Sequence, residues 1–185
     1  MFEKFRTANN MMKMMKVCGG SMDNPSIADQ VAATIIVVPL GFRDSIFRQN
    51  KYILSDAAIL TLIITLHSII NSQYDKIVAD IVKKTYCGIR EFYKITHEEL
   101  ELMQKNRFRV FNSNSVLSDI NNLDDYIAEA QILFKEEYAN NKYVEFSLNS
   151  PMTLIGFDKQ FQLDMETKAY FVTILPMIKK ILKSD

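Results

Sequence analysis

Apolar side chains recur every three or four residues along most of this chain, the spacing of helices that bury one face. The cleanest row is Tyr74, Ile77, Val78, Ile81, Val82, Ile89 and Phe92, with Asp75, Lys76, Asp80, Lys83, Lys84 and Glu91 on the other side. Gly88 interrupts this row and costs its helix up to about 1 kcal/mol relative to alanine. A second row, Ile120, Leu123, Ile127, Ala130 and Phe134, predicts a helix to about residue 139. A third, from Leu163 through Tyr170, Phe171, Ile174, Leu175, Ile178, Ile181 and Leu182, predicts the last helix, in which Pro176 is expected to make a kink. Residues 56–71 are apolar nearly all round, which predicts a helix at the centre of the fold.

Punctuation between the rows sets the expected boundaries. Gly19-Gly20 suits the end of a helix over 2–18. Asn24-Pro25 offers a cap followed by a proline at the first helical position, and Pro39 with Gly41 ends that helix near residue 37. Phe42 to Tyr52 reads as a short helical continuation. Ser55 is the expected cap of the central helix, and Thr96-His97-Glu98-Glu99 is a capping box that opens a helix to about Arg107. Residues 112–115 (NSNS) read as a loop. Val144, Phe146 and Leu148 alternate with Glu145 and Ser147 as in a strand, for which 108–111 offers a partner. The expected fold is all-α, a multi-helix bundle or orthogonal helical array with at most one small β-hairpin. Residues 1–185 form a single domain, with 1–18 a separable N-terminal helix.

Length and composition agree with that expectation. A chain of 185 residues, 48% hydrophobic and 24% charged, has enough apolar side chain for one core. The longest apolar stretch, 53–70, is cut by Asp56 and His67 to a clean run of only 57–66, too short for the roughly 20 residues of a span. The N-terminus carries no secretory-signal pattern. These features predict a cytoplasmic protein with no membrane span.

Charge narrows the partner classes. Lys+Arg and Asp+Glu are equal at 22 each, so no global field draws the chain to nucleic acid. The short basic–aromatic cluster Lys105, Arg107, Phe108, Arg109 and Phe111 lies among acidic segments, and no nucleic-acid partner is expected. The balance is uneven: residues 1–95 hold 12 Lys+Arg against 8 Asp+Glu, and residues 96–185 hold 10 against 14. Most of the acidic excess falls in 98–145, a distribution suited to guiding a partner or a second copy.

Candidate chemistry is sparse. With two histidines, His67 and His97, no multi-histidine metal site exists. His97-Glu98-Glu99 lacks the second histidine of a metalloprotease helix, although His97 and Glu101 share a face. His67 is expected in or near the core. No glycine-rich phosphate loop occurs. Cys18 and Cys87 are read as free thiols in a reducing cytosol, although one disulfide between them satisfies the count. Cys87 is read as a packing residue, and Cys18, at the negative end of a helix, is a poor nucleophile. The acidic pairs Asp124-Asp125 and Glu136-Glu137 splay over a helix surface and read as solvated. No catalytic residue, metal site or cofactor is expected.

The N-terminal segment is the unusual one. Four of the ten methionines crowd into Met11, Met12, Met14 and Met15. Phe5, Ala8, Met12 and Met15 fall at helical spacing beside a polar row of Arg6, Asn9, Lys13 and Lys16. Methionine adapts to irregular partners and also fills cores, so a core helix, a partner or lipid surface and a disordered leader are all open readings. The binding reading places Phe2, Phe5, Met12, Met15, Lys13 and Lys16 at a partner contact. The function that follows is a non-enzymatic cytosolic interaction protein, an adaptor, inhibitor or immunity-type factor acting on a protein partner or as a homo-oligomer. The alternative is a helical domain that binds a small apolar ligand in an aromatic- and Met-lined pocket. An enzyme of unknown type stands third.

Overall fold

The computed structural model describes residues 2–41, 51–69, 72–113 and 157–183. Six α-helices make up most of it: α1 (Phe2–Cys18), α2 (Ile27–Val37), α3 (Lys51–Ile69), α4 (Val78–Tyr93), α5 (His97–Ser113) and α6 (Phe157–Lys183). Short 3₁₀ turns at Val38–Gly41 and Asp75–Ile77 follow α2 and precede α4. No strand occurs among the described residues, so the fold is an all-α array. The segments expected as a helix over 120–139 and a strand over 143–157 lie mostly outside them, as do the two acidic pairs. Residues 108–111, expected as the strand's partner, are helical within α5, because the capping-box helix continues to Ser113 and takes in the start of the NSNS tract.

Local chemistry explains where the helices begin. Thr96 and Glu99 form the expected box, with Glu99 N donating to Thr96 Oγ1 at 3.2 Å and Thr96 N donating to Glu99 Oε2 at 2.7 Å. The cap of α2 is Ser26 rather than Asn24. Three residues on, Asp29 accepts from the Ser26 backbone N at 2.9 Å while its own N donates to Ser26 Oγ at 3.1 Å. Two cap signals stand side by side here, and the one with an acid at the third helical position is used. Ser55 is not a cap. It lies inside α3, fully buried, and its hydroxyl donates to the Lys51 carbonyl at 2.6 Å.

Helix α3 is the central element, with every residue of 54–65 buried. Its buried hydroxyls are satisfied by the helix itself: Thr61 donates to the Ala57 carbonyl and Thr65 to the Thr61 carbonyl, both at 2.7 Å. His67, expected in or near the core, is exposed, because it lies with Ser68 on the outer side of α3, whose next residue, Ile69, is buried again. Helices α2 and α4 form the most extensive pairing. Tyr93 fastens it by donating to the Ile36 carbonyl at 2.8 Å, near the end of α2 where carbonyls lack intrahelical partners. Burial pushes the Tyr93 phenol well above its ordinary pKa, so it remains a donor. Helix α6 closes the core with the fully buried Tyr170 and Phe171, packed edge to face at 5.0 Å. The Tyr170 and Thr61 hydroxyls share a hydrogen bond at 3.1 Å. Pro176 sits inside this helix, half-buried.

Gly88 has a purpose that its helix propensity conceals. A Cβ built there would stand 2.6 Å from Ile36 Cγ1 and 3.0 Å from Met14 Cε. The absent side chain lets α2 and α1 both approach α4. Gly88→Ala is therefore expected to destabilise by about 1–3 kcal/mol through overpacking, against a propensity gain of about 1 kcal/mol. A denaturant midpoint equal to or above that of the parent would contradict the close-approach account.

No helix among the described residues is long and apolar enough to cross a membrane.

Candidate functional site

Helix α1 ends in a glycine cap. Gly19 takes a left-handed conformation at φ +77°, and Gly20 N donates to the Met15 carbonyl at 2.7 Å. The chain then turns tightly over the start of α2. A Cβ on Gly20 would meet the Asp29 carboxyl carbon at 2.9 Å, so the turn is pressed onto that side chain.

Asp29 is only 4% exposed and is held from three sides. Lys84 Nζ reaches its Oδ1 at 2.5 Å, and the Ser26 hydroxyl and backbone N donate to its Oδ2. Burial alone would raise this carboxyl's pKa, but the bonds from Lys84 and Ser26 outweigh it and hold the pKa below the ordinary value. Lys84, expected on the solvent side of its helix, is only 13% exposed because it turns into this pair. A gap of about 10 Å³, room for one water, is lined by Met14, Met15, Cys18, Gly20, Asp29, Ala32 and Lys84. That is far too small for an organic ligand.

The two cysteines correct the sequence expectation. Cys18 and Cys87 are joined by a disulfide, with a Cα–Cα distance of 5.7 Å. The cause is the Gly88 notch, which brings the last turn of α1 within bonding reach of α4. In the chain-entropy view, a bridge spanning 69 residues is worth about 4 kcal/mol.

Two rows on α1 have different fates. Met14 is buried, with Met11 and Cys18 partly buried beside it. Asn9, Met12, Lys13, Lys16 and Val17 form an outward stripe. Met12, at 42% exposed, thus lies on the solvent side with the lysines, and Met15 is half-buried at the boundary. The inward row is one residue away from the Phe5, Ala8, Met12, Met15 row. Of the proposed contact residues the structure brings Met12, Lys13 and Lys16 together, while the side chains of Phe2 and Phe5 lie outside those described. Lys13 Nζ stands 5.6 Å from the Phe92 ring centroid, so its stem lies across α4. Three of the six exposed large hydrophobics among the described residues, Met12, Val17 and Met22, lie on α1 or the turn after it.

A second exposed stripe lies on α5, where Glu98, Glu101 and Leu102 share one face with Lys105 one turn on. Leu102 is 46% exposed. His97 Nε2 and Glu101 Oε1 are 3.2 Å apart on this face, an exposed i,i+4 pair. No group of three or more His, Cys, Asp or Glu able to hold a metal occurs among the described residues. The inner side of α5 is fixed by Glu99, which accepts from Tyr52 at 2.7 Å and lies 3.5 Å from Lys51 Nζ. These contacts tie α3 to α5 and leave the outer stripe free of that duty.

The chain matches no protein-family model, no curated protein and no solved structure.

Proposed function

We propose that this protein is a non-enzymatic cytoplasmic interaction protein whose binding surface is the outward stripe of α1. What carries the reading is the grouping of Met12, Lys13, Lys16 and Val17 on one face of a helix that is itself fastened to the body. A rigid helix loses little conformational freedom on binding, and exposed methionine and valine flanked by lysines make an amphipathic contact. The occupant to which we assign it is the acidic stripe of α5 in a second copy. That stripe has an exposed leucine beside Glu98 and Glu101, at the same helical spacing, and these two carboxylates outnumber Lys105 one turn on, so its net charge is opposite to that of the α1 stripe. If the pairing is two-fold, each dimer contains the contact twice.

Light-scattering mass of the full chain across a concentration series tests the reading. We expect reversible self-association that weakens with salt, and that K13E/K16E weakens by roughly tenfold or more through like-charge repulsion. A monomer at every concentration, or an unchanged association constant in a folded K13E/K16E, would contradict it. Deleting residues 1–18 is a poor substitute for this experiment. It removes Met14 and the disulfide along with the surface.

A further inference from the structure

We propose that the Cys18–Cys87 bond is a reversible thiol–disulfide exchange site, acted on by an external dithiol, and that opening it releases α1 from the body. Three observations lead there. The bond joins the last residue of α1 to the middle of α4, and both cysteines are only half-buried, so a thiolate can reach them from solvent. Apart from the bond, Met14 is the one fully buried side chain among those described in this helix, with Met11 and Cys18 partly buried beside it. A water-sized gap beside the bridge is lined in part by Cys18. A latch of this kind adds to the packing that positions an element near the edge of the core.

The chemistry balances with one co-reactant. A thiolate of the dithiol attacks one sulfur of the bridge, forming a mixed disulfide and expelling the other cysteine as a thiolate, which takes up a proton. The second thiol of the reductant, deprotonated, attacks the mixed disulfide and releases the remaining cysteine. The protein bridge gains two electrons and two protons, and the dithiol becomes a disulfide. In a cytoplasm that keeps thiols reduced, disulfides are mostly of this transient, redox-sensing kind. The inference does not need the pairing with a second copy, since it is read by alkylation and hydrogen exchange alone.

The test uses the full chain with and without dithiothreitol in native buffer, followed by iodoacetamide labelling and hydrogen-exchange mass spectrometry. The expected result is labelling of both cysteines without denaturant, together with at least tenfold faster amide exchange over residues 7–18. Residues 31–37 and 57–66 are expected to lose no more protection than the bridge contributes to global stability and to stay far better protected than 7–18. C18S/C87S is expected to show the same local loosening with no reductant present. Labelling only in denaturant would overturn the proposal. So would full retention of α1 protection after reduction, or loss of protection to one common level across α1, α2 and α3.

Discussion

Replacing Lys84 by methionine is expected to lower stability at neutral pH by about 3–5 kcal/mol, because it leaves the Asp29 carboxylate buried without its counter-charge. Methionine keeps most of the lysine stem, so the loss reports charge rather than packing. The pH dependence follows from the sign of the Asp29 shift. A carboxyl whose folded pKa lies below its unfolded value of about 3.9 stabilises the fold above that pH. That contribution fades as pH falls through the lower folded pKa. Without Lys84, burial raises the Asp29 pKa in K84M, so the variant takes up a proton at a higher pH than the parent, and the difference between them is expected to be larger at pH 7 than at pH 3.5. K84M/D29N, which removes the buried charge as well, is expected to recover part of the loss. Urea titrations at pH 7 and pH 3.5 check each statement. A K84M cost under about 1 kcal/mol at pH 7 would show that the pair is not the anchor of the α1–α2 turn.

Phe171→Ala should be comparably severe, at about 3–5 kcal/mol, since the ring is fully buried where α6 meets the core. Met177→Ala, six residues later on the exposed side of the same helix, should change stability by less than about 0.5 kcal/mol. Chemical denaturation of the two variants separates a helix that closes the core from one that merely lies on it. Similar values for both would contradict the docking described for α6.

The helical architecture was legible where one strong period dominated. The alternating faces of α4, the Thr96–Glu99 box and the apolar row of α6 each rest on contacts within a few residues, which the chain order displays directly. The features that make the candidate site are non-local. Asp29 and Lys84 are 55 residues apart and Cys18 and Cys87 are 69 apart, so neither pairing leaves a local pattern. Gly88 read as a defect of its own helix because the two atoms that require it, on Ile36 and Met14, belong to other helices.

The inward face of α1 illustrates a different limit. Methionines at 11, 12, 14 and 15 point to several sides of the helix, so periodicity leaves its rotation about its own axis unsettled. The body settles it, by accepting Met14 over Gly88 and bonding Cys18. One row belongs to the core, and the lysines stand outside with Met12 and Val17. An amphipathic pattern alone did not separate them, because methionine serves on either side.

Charge exchange between the two stripes tests the central claim most directly. K13E/K16E and E98K/E101K each place like charges at the proposed contact, and both are expected to remain monomeric, at 21.4 kDa, where the parent chain associates. Mixed in equal amounts, the two variants present opposite charges to each other at every α1–α5 contact. Light scattering of the mixture is predicted to recover twice the mass of the single chain. Two folded variants that stay monomeric when mixed, or that associate alone as well as the parent does, would contradict the assignment of α1 and α5 as partner surfaces.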